Sequence, residues 1–103
     1  MNEQLIRYET KPGHAAANEE LVRAVYEELH RTQPEGLQYA TLRLGDGVTF
    51  VHLVRRPEPG PGPLVTVKAF AEFQAGLAGR CRQQPHAEGF TRVGSYRAFG
   101  DDF

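Results

Sequence analysis

Hydrophobic and polar positions along the chain switch repeatedly between a period of two and a helical period. Over residues 5–11 they alternate, with Ile6, Tyr8 and Thr10 on one side and Arg7 and Glu9 on the other. That is the pattern of a half-buried strand, ended by Pro12-Gly13. Over residues 15–31, Leu21, Val22, Val25, Tyr26 and Leu29 form one helical stripe, and Glu19, Glu20, Arg23, Glu27 and Glu28 cover the remaining surface. Pro34 and Gly36 close this helix. Residues 37–44 and 48–55 read as strands joined at Gly45-Asp46-Gly47, and Asp-Gly between β-type residues is a strong hairpin signal.

If Asp46 and Gly47 are the two loop residues, Arg43 faces Phe50, Thr41 faces His52 and Tyr39 faces Val54. On the opposite face Leu42 then meets Val51 and Ala40 meets Leu53. A three-residue loop with a bulge would shift the pairing by one. Residues 56–63 read RPEPGPGP, a composition excluded from helix and central strand and expected as an extended surface loop. Thr66 is a candidate N-cap for a second helix over residues 67–83, whose stripe is Phe70, Phe73, Leu77 and Cys81. Gly76 and Gly79 each weaken that helix by about 1 kcal/mol relative to alanine and leave room for close approach to the sheet. Pro85 follows, and residues 90–99 alternate again as a last strand.

The order strand, helix, strand, strand, helix, strand is the ferredoxin-like βαββαβ plan, an α+β fold. Two helices cover one face of a four-stranded antiparallel sheet. With 103 residues, the chain makes a single domain (residues 1–103) with one core. The other sheet face is left for a partner.

Composition narrows the function. A net charge of −1 gives no field for nucleic acid or anionic membranes. No apolar run reaches the roughly 20 residues that span a bilayer. The single cysteine, Cys81, precludes an internal disulfide and fits a reducing cytoplasm. No Cys/His spacing suggests a metal, and no motif calls for a cofactor.

The aliphatic residues of the hairpin suit packing under helices, which assigns Tyr39, Arg43, Phe50 and His52 to the open face. Arg7 and Glu9 are expected beside them. A Glu9–His52 pair could then work as a general base, since a carboxylate orients imidazole. Tyr39, Arg43, Phe50 and Arg7 would hold the substrate. The plainer reading of His52 is a hydrogen-bonded histidine in an interface or cavity wall. A face bearing Tyr39, Thr41, Phe50, His52 and Val54 is too apolar to stay wet, so a second copy of the chain is the expected cover.

The stretches IRYETKPG (residues 6–13), NEELVRAVYEEL (18–29), GLQYATLRLGDGVTFVHL (36–53), FAEF (70–73) and VGSYRAF (93–99) resemble the small proteins related to antibiotic biosynthesis monooxygenases, within the dimeric α+β barrel group. The resemblance implies a homodimer whose two sheets pack into a barrel. It also implies a pocket in each protomer, between sheet and helices or within the barrel, here for a small aromatic molecule. Some members oxidise polycyclic aromatics or quinols without a cofactor, others degrade haem, and many have no known activity. Enzymatic members often carry a tryptophan after the third strand and a histidine in the second helix or the following loop. This chain has no tryptophan, and its second helix carries Gln74, Gly76 and Gly79.

Overall fold

The strand β1 (Asn2–Thr10) is the one around which the sheet assembles. In the computed structural model, which describes residues 2–56 and 62–98, a 3₁₀ turn at Pro12–His14 leads into α1 (Ala15–Thr32). The hairpin β2 (Gln38–Arg43) and β3 (Thr49–Arg56) follows. After a second 3₁₀ turn at Gly62–Thr66 come α2 (Lys68–Ala75), α3 (Leu77–Arg80) and β4 (Cys81–Gly89). Strand order is β2-β3-β1-β4, antiparallel throughout, with helices on one face. This is the ferredoxin-like plan. Among the described residues no helix is long and apolar enough to cross a membrane. Most of the Pro/Gly-rich stretch, residues 57–61, lies outside the described residues.

The hairpin has the expected register, Arg43 opposite Phe50, Thr41 opposite His52, Tyr39 opposite Val54, but its loop spans residues 45–48, closed by the Leu44 amide donating to the Thr49 carbonyl at 2.9 Å. Gly47 adopts φ +79°, a conformation that glycine takes without steric cost. Asp46 clamps the turn, its carboxylate accepting from the Val48 and Thr49 amides at 3.0 and 2.9 Å and from the Thr49 hydroxyl.

The face assignment is reversed. The core beneath the helices holds Tyr8, Phe50, Val25, Val22, Phe73 and Leu77, with Ile6 and Tyr39 packed against it. His52 is 2% exposed there. Across β1 and β3, Tyr8 sits opposite Phe50 and Ile6 opposite His52, while Arg7 pairs with Val51 and Leu5 with Leu53. Directly opposed residues share a face, so Arg7 and Glu9 project with the aliphatic set, away from His52. Aromatic contacts go with this placement: in the core between sheet and helices, Tyr8 stacks on Phe50 at 5.6 Å and 9°.

The second helix is shorter than its stripe. At Gly76 the backbone leaves helical values (φ −109°, ψ 5°), separating α2 from α3, and Cys81 turns extended. The N-terminus of α2 is capped by Glu28 of α1 instead of Thr66: its carboxylate accepts from the Lys68 and Ala69 amides at 3.0 and 2.9 Å. Thr66 donates to the Pro63 carbonyl. The last strand is accordingly β4, beginning at Cys81, while residues 90–98 carry no regular structure and Phe99 lies outside the described residues. Pro85 is tolerated in β4 because this is an edge strand whose register against β1 slips between Arg7–His86 and Glu9–Gln83.

The Thr49 and Val48 hydrogen bonds hold Asp46 at about 2, below its ordinary 3.8. The folded carboxyl therefore releases its proton more readily than the unfolded one, and this contribution is complete above 3.8 and lost as pH falls towards 2. Replacing Asp46 by Asn should lower the unfolding midpoint at neutral pH and flatten its pH dependence between 4 and 2, as read by circular-dichroism melts.

Candidate functional site

Between the sheet and α2 lies a cavity of about 320 Å³. Ile6, Val54, Leu64, Phe70, Phe73 and Leu77 make most of its wall, and Tyr8, Tyr39 and His52 supply polar atoms; Gln4, Gln74 and Arg56 are also at its edge. β1 and β3 deliver Ile6 and His52 side by side because the two are register partners. α2 delivers Phe70 and Phe73 from one helical face, one turn apart.

The polar groups form one continuous network. His52 Nε2 lies 2.9 Å from the Tyr8 hydroxyl, and Nδ1 lies 2.8 Å from the Tyr39 hydroxyl and 3.0 Å from Thr41 Oγ1. Tyr26 contacts Thr41 Oγ1 at 2.7 Å. Beyond Tyr8, Asn18 Nδ2 donates to its hydroxyl at 2.8 Å, and Arg80 Nε donates to Asn18 Oδ1 at 3.0 Å. The rings of Tyr8 and Tyr39 stack on the imidazole at 5.4 and 5.7 Å.

Burial disfavours the imidazolium and brings His52 down from 6.5 to about 4. At neutral pH the ring is uncharged. Burial likewise raises Tyr8 and Tyr39, and it pushes Tyr26 up to about 12, so the phenols stay protonated and available as donors.

Of the residues picked from sequence, the structure brings His52 and Tyr39 together at the cavity. Phe50 is buried in the stack under Tyr8, outside the cavity lining. Arg43 lies beside a separate surface groove, donating to Glu19 at 2.8 Å and to the Gly47 carbonyl at 2.9 Å, with its guanidinium 5.7 Å from the Phe50 ring. Glu9 is on the opposite face in an ion pair with Arg82 at 3.0 Å, and Arg7 shares that face. The proposed Glu9–His52 pair is therefore not formed; the partners of His52 are neutral hydroxyls. Asn18 was missed, although extending the stripe of Val22 and Val25 back by one turn places it on the buried face of α1.

No protein-family model matches the sequence, and no curated protein does. Solved structures do match in shape. A Nitrosomonas europaea protein named as a candidate antibiotic biosynthesis monooxygenase superposes with a TM-score of 0.73 at 13% identity, covering 90% of this chain and 99% of its own. A second Nitrosomonas europaea protein, of unknown function, gives 0.68 at 21% identity over 91% and 90% of the two chains. SnoaB, a cofactor-independent oxygenase from Streptomyces nogalater, gives 0.58 at 15% identity over 90% and 93%.

The chain has the antibiotic biosynthesis monooxygenase (ABM) fold. At these identities the likeness carries the fold and not the reaction. What this ABM-fold chain adds is a cavity whose polar side is an uncharged imidazole held at both nitrogens.

Because the folded His52 takes up its proton only near 4, the unfolded chain binds more protons between 6.5 and 4, and stability from this residue rises with pH across that window. In an NMR titration the His52 ring should keep its neutral signature down to about pH 4, and titration near 6.5 would show the ring to be solvated instead.

Proposed function

We propose that the cavity beside His52 binds a small aromatic molecule bearing a carbonyl or phenolic oxygen, and that the chain acts on it as a cofactor-independent monooxygenase. The observation that carries this is the combination of an apolar wall with polar groups converging at one side, the usual composition of a small-molecule site. Phe70 and Phe73 line it with aromatic rings, and the Tyr39 hydroxyl, backed by His52, offers a hydrogen bond to a ligand oxygen. The fold neighbour SnoaB, named a cofactor-independent oxygenase, supports the reaction class. In such a reaction an activated ring CH₂ becomes C=O while O₂ supplies that oxygen and leaves as one water.

Polycyclic phenols and aryl ketones should raise oxygen uptake by the purified chain, with one atom of ¹⁸O₂ entering the product. Val54→Phe, which fills the cavity, should weaken ligand binding at least tenfold while the folded spectrum persists. Tight binding without oxygen uptake would leave a binding protein.

The opposite sheet face supports a homodimer as the working unit. Leu42 is exposed there, and a groove of about 370 Å³ separates Leu5 and Leu53 from Phe90, Val93 and Ala98 of the segment after β4. Val93 is 99% and Tyr96 81% exposed. A second copy, related by a twofold axis, would cover these side chains on both partners at once. The double substitution Leu42→Glu with Val93→Glu should convert a dimer to a monomer in sedimentation equilibrium; an unchanged mass would place the interface elsewhere.

A further inference from the structure

Arg80 is a buried cation with no carboxylate partner among the described residues. Its guanidinium lies over the Phe73 ring at 5.6 Å, donates from Nη2 to the Phe73 carbonyl at 2.7 Å, and donates from Nε to Asn18 Oδ1 at 3.0 Å. Gly76 leaves the space, since a Cβ there would stand 2.8 Å from Nη1.

A guanidinium has donors only. The Asn18 atom facing it must be the carbonyl oxygen, and the fully buried amide then points its Nδ2–H at the Tyr8 hydroxyl, 2.8 Å away. Having accepted there, Tyr8 has one proton to give, and its neighbour is His52 Nε2 at 2.9 Å. The arrangement that gives the buried Tyr8 proton a partner within the protein has Nε2 accepting. An uncharged imidazole whose Nε2 accepts carries its proton on Nδ1, facing the hydroxyls of Tyr39 at 2.8 Å and Thr41 at 3.0 Å.

We propose that Arg80 is a positioning residue which, through Asn18 and Tyr8, holds His52 as the Nδ1–H tautomer and so makes the Tyr39 hydroxyl a donor toward the cavity. Tyr39 receives the Nδ1 proton on a lone pair, and Thr41 is engaged by Tyr26. The Tyr39 hydroxyl also meets Thr41, and its phenol proton turns from that neighbour to the oxygen of a carbonyl or phenolate ligand that enters the cavity Tyr39 lines. The ligand half of this inference rests on the binding role proposed above; the tautomer half stands apart from it.

Nitrogen-15 NMR of ring-labelled histidine in the full chain at pH 7 reads the tautomer directly. His52 should show a protonated Nδ1 and a bare Nε2. Arg80→Met lets the Asn18 amide turn over and should give a mixture of tautomers, and Arg80→Lys, which keeps a donor-only end, should restore the native pattern. Should Arg80→Met fail to fold, Tyr8→Phe removes the donor to Nε2 with little change of shape and should also give a mixture. A native ring protonated at Nε2 overturns the proposal. So does the native pattern in folded Arg80→Met, or in Tyr8→Phe where that variant stands in.

Calorimetry with 1-tetralone and tetralin, the same two-ring frame with and without a carbonyl oxygen, tests the donor. The ketone should bind about tenfold more tightly, and Tyr39→Phe should erase the preference. Equal binding by the native chain overturns the donor role of Tyr39. Binding of neither compound overturns the cavity's binding role, with the tautomer measurement still deciding the part of Arg80.

Discussion

The imidazole of His52, 2% exposed and hydrogen-bonded at both nitrogens, constrains every layer of this molecule. A polar ring taken out of water is costly unless its atoms find partners, and here two elements supply the ring's partners and two more hold those partners in place. β1 contributes Tyr8, β2 contributes Tyr39 and Thr41, α1 contributes Asn18 and Tyr26, and α3 contributes Arg80. A partly satisfied network would be worse than an apolar core. α1 must therefore dock with Asn18 inward, and α3 must end where Arg80 reaches it.

The cavity depends on the same docking. Glu28 of α1 caps the N-terminus of α2, which aims Phe70 and Phe73 at the sheet. The two backbone hydrogen bonds hold the Glu28 carboxyl below the usual carboxylate range, as expected for an anion at a helix N-terminus. Gly76 then breaks the helix and makes room for the guanidinium whose donors fix Asn18. Wall and polar network are thus joined through α2 and α3.

The ABM fold persists among chains that share 13% and 15% identity with this one. That spread is reasonable if the fold rests on pattern, namely alternating strands, two amphipathic helices and a hairpin, and not on particular side chains. The residues around a cavity can then vary freely. The uncharged His52 centre is accordingly a feature of this chain's own side chains.

Local chemistry carried the element order, the first helix, the hairpin and its register. Asp46 and Gly47 fix the turn by hydrogen bonds and a left-handed φ that do not depend on the rest of the chain. His52 and Tyr39 were also visible as a pair, because the hairpin register alone puts Thr41 opposite His52 and Tyr39 two residues away. The faces were not visible. Both sides of β3 are apolar, Phe50 and Val54 on one and Val51 and Leu53 on the other, so alternation could not say which side meets the helices. That was settled by pairing with β1, forty-odd residues away, and by the packing of Tyr8 and Phe50 with the core residues of α1 and α2. β4 was hidden for a related reason: beyond Cys81 its side chains are exposed, so it carries no hydrophobic period and is held by backbone pairing to β1. The sequence by itself determined what is local, the periods, turns and hairpin register. Tertiary structure decided which face is inside and which polar groups meet, because those depend on contacts between residues far apart in the chain.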